Sequence, residues 1–218
     1  MKKIISLTLI TGLLISTIFV YFEGELTEAI TDEIIVTQNV SDEITISSPA
    51  DVAMSGSIPG ITGNPGSPRT GSATWTVKTN NALGFTMALN ATASPAMQLD
   101  ATYNFSDYTP ATSGLPDFTW SSPASGQAEF GYTVEPETVA DTVQLFKDDG
   151  TSCNTGANNA ANRCWYNFTT STVTVINRTT NTDVSGEDEL VKFQTESNAK
   201  FLKGGNYTAT IIATATMN

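Results

Sequence analysis

The chain holds two cysteines and no histidine, and this bounds the chemistry it can perform. A serine or cysteine nucleophile needs a neighbouring base, which is most often histidine. A hydrolase triad is therefore not expected. Paired carboxylates alone can hydrolyse a glycoside, and Glu129, Glu135, Glu137 and Asp141 are available. They fall at strand ends and turns, with nothing to mark two of them as a pair. The glycine-rich stretch from Gly60 to Gly71 has neither the lysine nor the following helix of a phosphate-binding loop. The sequence predicts a protein that is not an enzyme and carries no cofactor.

Cys153 and Cys164 bracket the polar run Asn154 to Arg163. A local disulfide is the natural reading, stabilising the fold by about 3 kcal/mol through the unfolded chain and requiring an oxidising compartment. A reactive thiol or a metal-binding pair is the alternative, but two cysteines without histidine are too few ligands for zinc. The best oxygen-ligand clusters are Asp148-Asp149-Gly150 and Gly186-Glu187-Asp188-Glu189. Neither has the spacing of a helical calcium loop. They read as solvated turns, with weak calcium binding left open. Of the three tryptophans, Trp75 lies in an alternating run and belongs in a core, and Trp165 beside Cys164 is expected to pack on the disulfide. Trp120, set among serine and proline, is the candidate ligand contact, for instance with a surface glycan. Asn-x-Ser/Thr triplets at Asn39, Asn90, Asn104, Asn167, Asn177 and Asn206 mark polar surface.

Charged residues make up only 15% of the 218 residues, and the net charge is −12. That charge repels phosphate backbones, so nucleic acid is excluded as an expected partner. Thr, Ser, Asn and Gly take the place of charge on the surface, which favours strands over helices. Lys2 and Lys3 precede an apolar run from Ile4 to Phe22, the pattern of an export signal. Residues 1–29 are expected to be a signal peptide cut after Ala29, or an uncleaved membrane anchor. In either case the remainder lies outside the cytoplasm, extracellular or at the cell surface, and meets the membrane only through this segment.

The elements behind these residues read as all-β. Residues 30–218 are expected to form one antiparallel β-sandwich, Ig-like or jelly-roll-like, preceded by the hydrophobic N-terminal helix. A Gly/Pro-rich surface connection covers residues 48–71. Ala73, Trp75 and Val77 alternate with polar residues, as do Phe85, Met87 and Leu89 after Asn80 to Gly84, which predicts a β-hairpin with one oily face. Further strands are predicted at Glu43–Ser47, Gln127–Val134, Thr142–Phe146, Cys164–Phe168, Ser171–Asn177, Glu189–Thr195 and Asn206–Met217, with one short helical turn the alternative within Val139–Leu145. Between Ala96 and Ser125 the pattern is ambiguous between short edge strands and a decorated loop. The last strand is long and suits either a sheet interior or an edge able to accept another chain's strand. Ile34, Ile35 and Val36, in the β-prone run Asp32–Val40, form a candidate donor strand, able to fold back on the domain or insert into a neighbour.

The stretch Gly71 to Leu89, with Ser94-Pro-Ala-Met97 and the ending Gly205 to Thr216, resembles uncharacterised exported β-sandwich surface proteins of candidate-phylum bacteria. More distantly, it is similar to WxL-type wall-associated domains and to TasA and camelysin-like matrix-fibre proteins, although Trp75-Thr-Val lacks the WxL leucine. The resemblance implies a β-sandwich surface component, and no functional residue is carried over from it. The expected function is a non-catalytic structural protein of the cell surface that self-assembles through strand edges into a filament, fibre or layer, alone or with other envelope proteins. The alternative is a monomeric adhesion or carbohydrate-binding module.

Overall fold

The computed structural model describes residues 32–218, and the signal or anchor helix expected within residues 1–29 lies outside them. Residues 32–40 carry no strand or helix. Ile34, Ile35 and Val36 are 85, 82 and 85% exposed. The strand predicted over Asp32–Val40 is absent, because a strand exists only where a neighbour takes its amides and carbonyls.

Residues 41–218 form the folded unit, and it is all-β. Its strands are β1 (Ile44–Ile46), β2 (Arg69–Thr79), β3 (Phe85–Ala91), β4 (Met97–Gln98), β5 (Asn104–Asp107), β6 (Gln127–Pro136), β7 (Tyr166–Asn167), β8 (Val173–Arg178), β9 (Glu187–Asn198) and β10 (Ile211–Met217). The larger sheet runs β1-β2-β9-β6-β5-β4, with β7 also pairing β6, and the smaller runs β10-β3-β8. All pairs are antiparallel except β5 with β6.

Side-chain alternation explains the core. On β2, Ala73, Trp75 and Val77 are buried while Ser72 and Thr74 are exposed; on β3, Phe85, Met87, Leu89 and Ala91 are buried. Ala128, Phe130, Tyr132 and Val134 of β6 and Val191 and Phe193 of β9 complete the same cluster. Phe130, Tyr132, Phe168 and Phe193 stack ring on ring through it. Fully burying each such side chain stabilises by about 2–3 kcal/mol.

The hairpin expected from β2 and β3 does not form. β2 pairs with β1 and β9, while β3 pairs with β8 and β10. The link between them carries the chain from one sheet to the other. Leu83 N–H bonds the Asn81 side chain at 2.8 Å, and Gly84 N–H bonds the Asn81 carbonyl at 3.0 Å. Gly84 has φ +80° and lies so close to the Arg178 carbonyl that a Cβ would overlap it. Period-two alternation identifies the oily face of each strand but not its lateral neighbour. Both stripes nevertheless join one hydrophobic cluster.

Three other expectations change in detail. Thr142–Phe146 is no strand: Val143 N–H bonds the Val175 carbonyl, and the chain then tightens into a 3₁₀ turn, Gln144–Phe146, after an earlier one at Val139–Asp141. Phe146, fully buried against Tyr132 and Tyr166, anchors that turn. The strand expected over Cys164–Phe168 shrinks to β7, since Cys164 has φ +59°, outside the extended region. The final strand begins at Ile211 because Thr208 first bridges to Gln98 of the larger sheet before the chain joins β3. The 48–71 connection is irregular as expected until β2 begins at Arg69, but part of it is tied down. Asn64 exchanges bonds of 2.7 and 2.9 Å with Ser197 of β9.

Candidate functional site

β10 is the edge of the smaller sheet and pairs only with β3. β1, the edge of the larger sheet, is a three-residue stub beside Val77–Thr79. A cleft of about 1260 Å³ is lined by the larger sheet, by the irregular segment that follows β1 and by the stretch Leu202–Ile211 that leads into β10. Trp75, Phe130 and Phe193 form its floor on the larger sheet, and Tyr207, Ala209 and Ile211 form the wall leading into β10. Met54 and Ile58, from the irregular segment after β1, line it as well and pack against the core. Trp75 thus faces inward as its alternation predicts, and part of its surroundings is this cleft. β10 itself shows Ile211, Ala213 and Ala215 half-buried on one face and Ile212, Thr214 and Thr216 exposed on the other. Of the two settings expected for the final strand, the structure places it at an edge.

Trp120 is not a free platform in an open loop. Its ring stacks on Tyr108 at 4.4 Å and 24°, meets Trp165 edge-on at 5.5 Å, and donates Nε1–H to Glu196 Oε2 at 2.7 Å. Glu196 is fully buried, and its other oxygen accepts the Gly66 N–H at 2.6 Å. Gly131 on β6 leaves room for this packing: a Cβ there would lie 2.7 Å from Tyr108 Cβ and 3.2 Å from the Trp120 ring. The Tyr108 hydroxyl donates to Asp117 at 2.6 Å and accepts the Ser121 N–H at 3.1 Å. Burial, and then the Asp117 carboxylate, raise its pKa. The group clamps the ambiguous 96–125 segment onto the outer face of the larger sheet. Glu196 and Gly131 carry no sequence signal for this role beyond a charge and a glycine inside β-prone runs.

Cys153 and Cys164 form the expected disulfide. Trp165 is buried next to it, with its indole N–H donated to the Asn162 carbonyl at 3.2 Å. The acidic clusters are committed to neighbours. Asp148, fully buried, accepts the amides of Gly150 and Ala160 at 2.9 and 2.7 Å. Asp149 accepts the Thr151 hydroxyl and the Thr151 and Ser152 amides, which lower its pKa. Asp188 accepts the Thr76 hydroxyl at 2.6 Å. Arg178 bridges Asp141 and Glu187 at 2.7 and 2.8 Å. Among the described residues no group of three or more Asp, Glu, Cys or His side chains is arranged to hold a metal ion.

Glu189 stands apart. It is 2% exposed, on the core-facing side of β9 between Trp75 and Pro136, and its Oε2 has no partner. Burial first, and then the nearby Asp141 and Glu187 carboxylates, push its pKa to about 8. Glu129 and Glu196 are direct cross-strand neighbours on β6 and β9, and burial raises the Glu129 pKa as well. Glu135 pairs with Lys192 at 2.8 Å. Asp141, Glu187 and Glu189 thus gather near Arg178, while Glu129 with Glu196 and Glu135 with Lys192 form separate contacts.

No protein-family model, curated protein or solved structure matches the chain.

Proposed function

We propose that the chain is an exported, non-catalytic structural protein of the cell surface, built as an antiparallel β-sandwich and self-associating through its sheet edges. One observation carries this reading: among the described residues the middle of β2, at Ser72 and Thr74, has a free backbone edge beside a partly apolar cleft that reaches edge strand β10 at Ile211, in a chain that also holds Ile34, Ile35 and Val36 in solvent. An open edge takes up main-chain hydrogen bonds from an added strand, and a neighbouring apolar slot takes its alternate side chains. Residues 33–40 of one copy are the donor and the cleft of the next is the acceptor. Export is supported by Lys2, Lys3 and the apolar run after them, and by a disulfide that an oxidising exterior preserves.

Negative-stain microscopy of the purified protein tests the reading. Filaments or layers are expected for the natural sequence, and Ile35→Asp, which puts a charge in the donor run, should abolish them. Dispersed single particles from both proteins would contradict it.

A further inference from the structure

The segment that forms one wall of the cleft is fastened by two matching clips. Ser47 N–H donates to the Thr76 carbonyl at 2.9 Å, and Thr76 N–H donates back to Ser47 Oγ at 2.7 Å. Eight residues on, Ser55 N–H donates to the Thr70 carbonyl at 2.8 Å, and Thr70 N–H donates to Ser55 Oγ at 3.0 Å. At each clip a serine hydroxyl occupies the place that a strand's carbonyl would take. Between the clips the chain bows away from β2. Thr70 and Thr76 direct both backbone groups toward this edge, so the period-two rule turns the groups of Ser72 and Thr74 the same way. Among the described residues, Ser72 and Thr74 have no main-chain partner there.

The bowed residues also lie over a gap in the core face. Gly71 has no side chain where Val52 Cγ1 and Met54 Sδ sit, and a Cβ would be 2.6 and 3.0 Å from them. The segment thus covers the core face at Gly71 while leaving β2's edge unpaired in the middle. Pro49, Gly56 and Pro59 suit a covering strap better than a strand.

We infer that residues 48–58 are a displaceable strap, a stand-in for a missing strand. Release of the Ser47 and Ser55 clips exposes the Ser72–Thr74 edge and the cleft to residues 33–40 of a second copy. This inference rests on the self-association reading and assigns the step that limits it. The occupant is a second copy because the chain itself displays a strand-length apolar run, Ile34 to Val36 with Val40, in solvent. The backbone edge between the clips offers such a run the hydrogen bonds that the strap does not make.

A reversible lock tests the strap. The Ser55 and Thr70 hydroxyls lie 3.5 Å apart, close enough for a Ser55→Cys/Thr70→Cys disulfide. Its formation beside the natural bond would be confirmed by non-reducing peptide mapping. Binding of a labelled synthetic peptide of residues 32–40 is measured by anisotropy, and self-association by light scattering, for the oxidised lock and an otherwise identical Ser55→Ala/Thr70→Ala protein. The lock should weaken peptide binding at least tenfold and suppress scattering. The alanine pair, which loses the Ser55 hydroxyl that accepts the Thr70 N–H but keeps the main-chain bond of that clip, should assemble faster than the natural protein. Equal binding and assembly by locked and unlocked forms would overturn the strap while leaving self-association standing. Absence of both in every form would overturn self-association and the strap with it.

Discussion

Replacing Glu189 by glutamine should stabilise the protein at and above neutral pH and flatten its pH dependence. The carboxyl is buried with one oxygen unpartnered, and its pKa rises from 4.5 to about 8. The folded state therefore holds a proton that the unfolded state releases above pH 4.5. The resulting stability is full below that pH and is lost progressively as pH climbs through 8. Each tenfold difference in proton affinity between the folded and unfolded chain corresponds to about 1.4 kcal/mol, so roughly 3 kcal/mol is lost by pH 7 and on the order of 4–5 kcal/mol by pH 9. That is a large share of the ~5–15 kcal/mol that holds a typical domain. Glutamine keeps the shape and cannot ionise. Arg178, Asp141 and Glu187 remain, and Glu129 contributes its own slope in the same direction, so the comparison of variant with natural protein isolates Glu189. Urea denaturation of both at half-unit steps from about pH 5 to 9 measures it. The curves should converge near pH 5 and separate by at least about 2 kcal/mol at pH 8. Parallel curves would refute the buried-proton reasoning.

Gly131→Ala drives a methyl into Tyr108 Cβ and the Tyr166 carbonyl, both within 2.8 Å of it, and should destabilise by about 1–3 kcal/mol with a shift in tryptophan emission as Trp120 is displaced. Trp120→Phe leaves the fully buried Glu196 one donor short and should cost about 1–3 kcal/mol in a denaturation curve. Converting both Cys153 and Cys164 to serine should lower stability by about 3 kcal/mol, read as a drop in Tm, with far-UV circular dichroism retaining its β signature.

Strand positions and the disulfide are the most legible features of the sequence. Trp75, Phe85, Met87 and the 127–134 run alternate strongly enough to reveal their buried faces, and two isolated cysteines flanking a polar loop have few other partners. The hairpin reading fails because alternation within a strand contains no information about lateral pairing. The link Asn80–Gly84 serves equally well as a hairpin loop and as a crossing between sheets. Polar neighbours in sequence single out Trp120, yet its environment is set by Tyr108, Glu196 and Gly131, which only pairing of β6 and β9 brings beneath it. Glu189 reads in sequence as part of an acidic turn. As the first residue of the expected strand it already shares the inward-facing row of Val191 and Phe193, and it is buried there because β9 continues two residues further and pairs Glu189 between Trp75 and Pro136. The serine clips depend on the register of an irregular segment against β2, and no periodicity announces such a contact.

Sedimentation velocity of the purified protein over a roughly hundredfold concentration range, with and without calcium, tests the self-association claim most directly. Growth into species much larger than 23.1 kDa, suppressed by Ile35→Asp, is the expected result. A single monomeric boundary at every concentration would contradict the account.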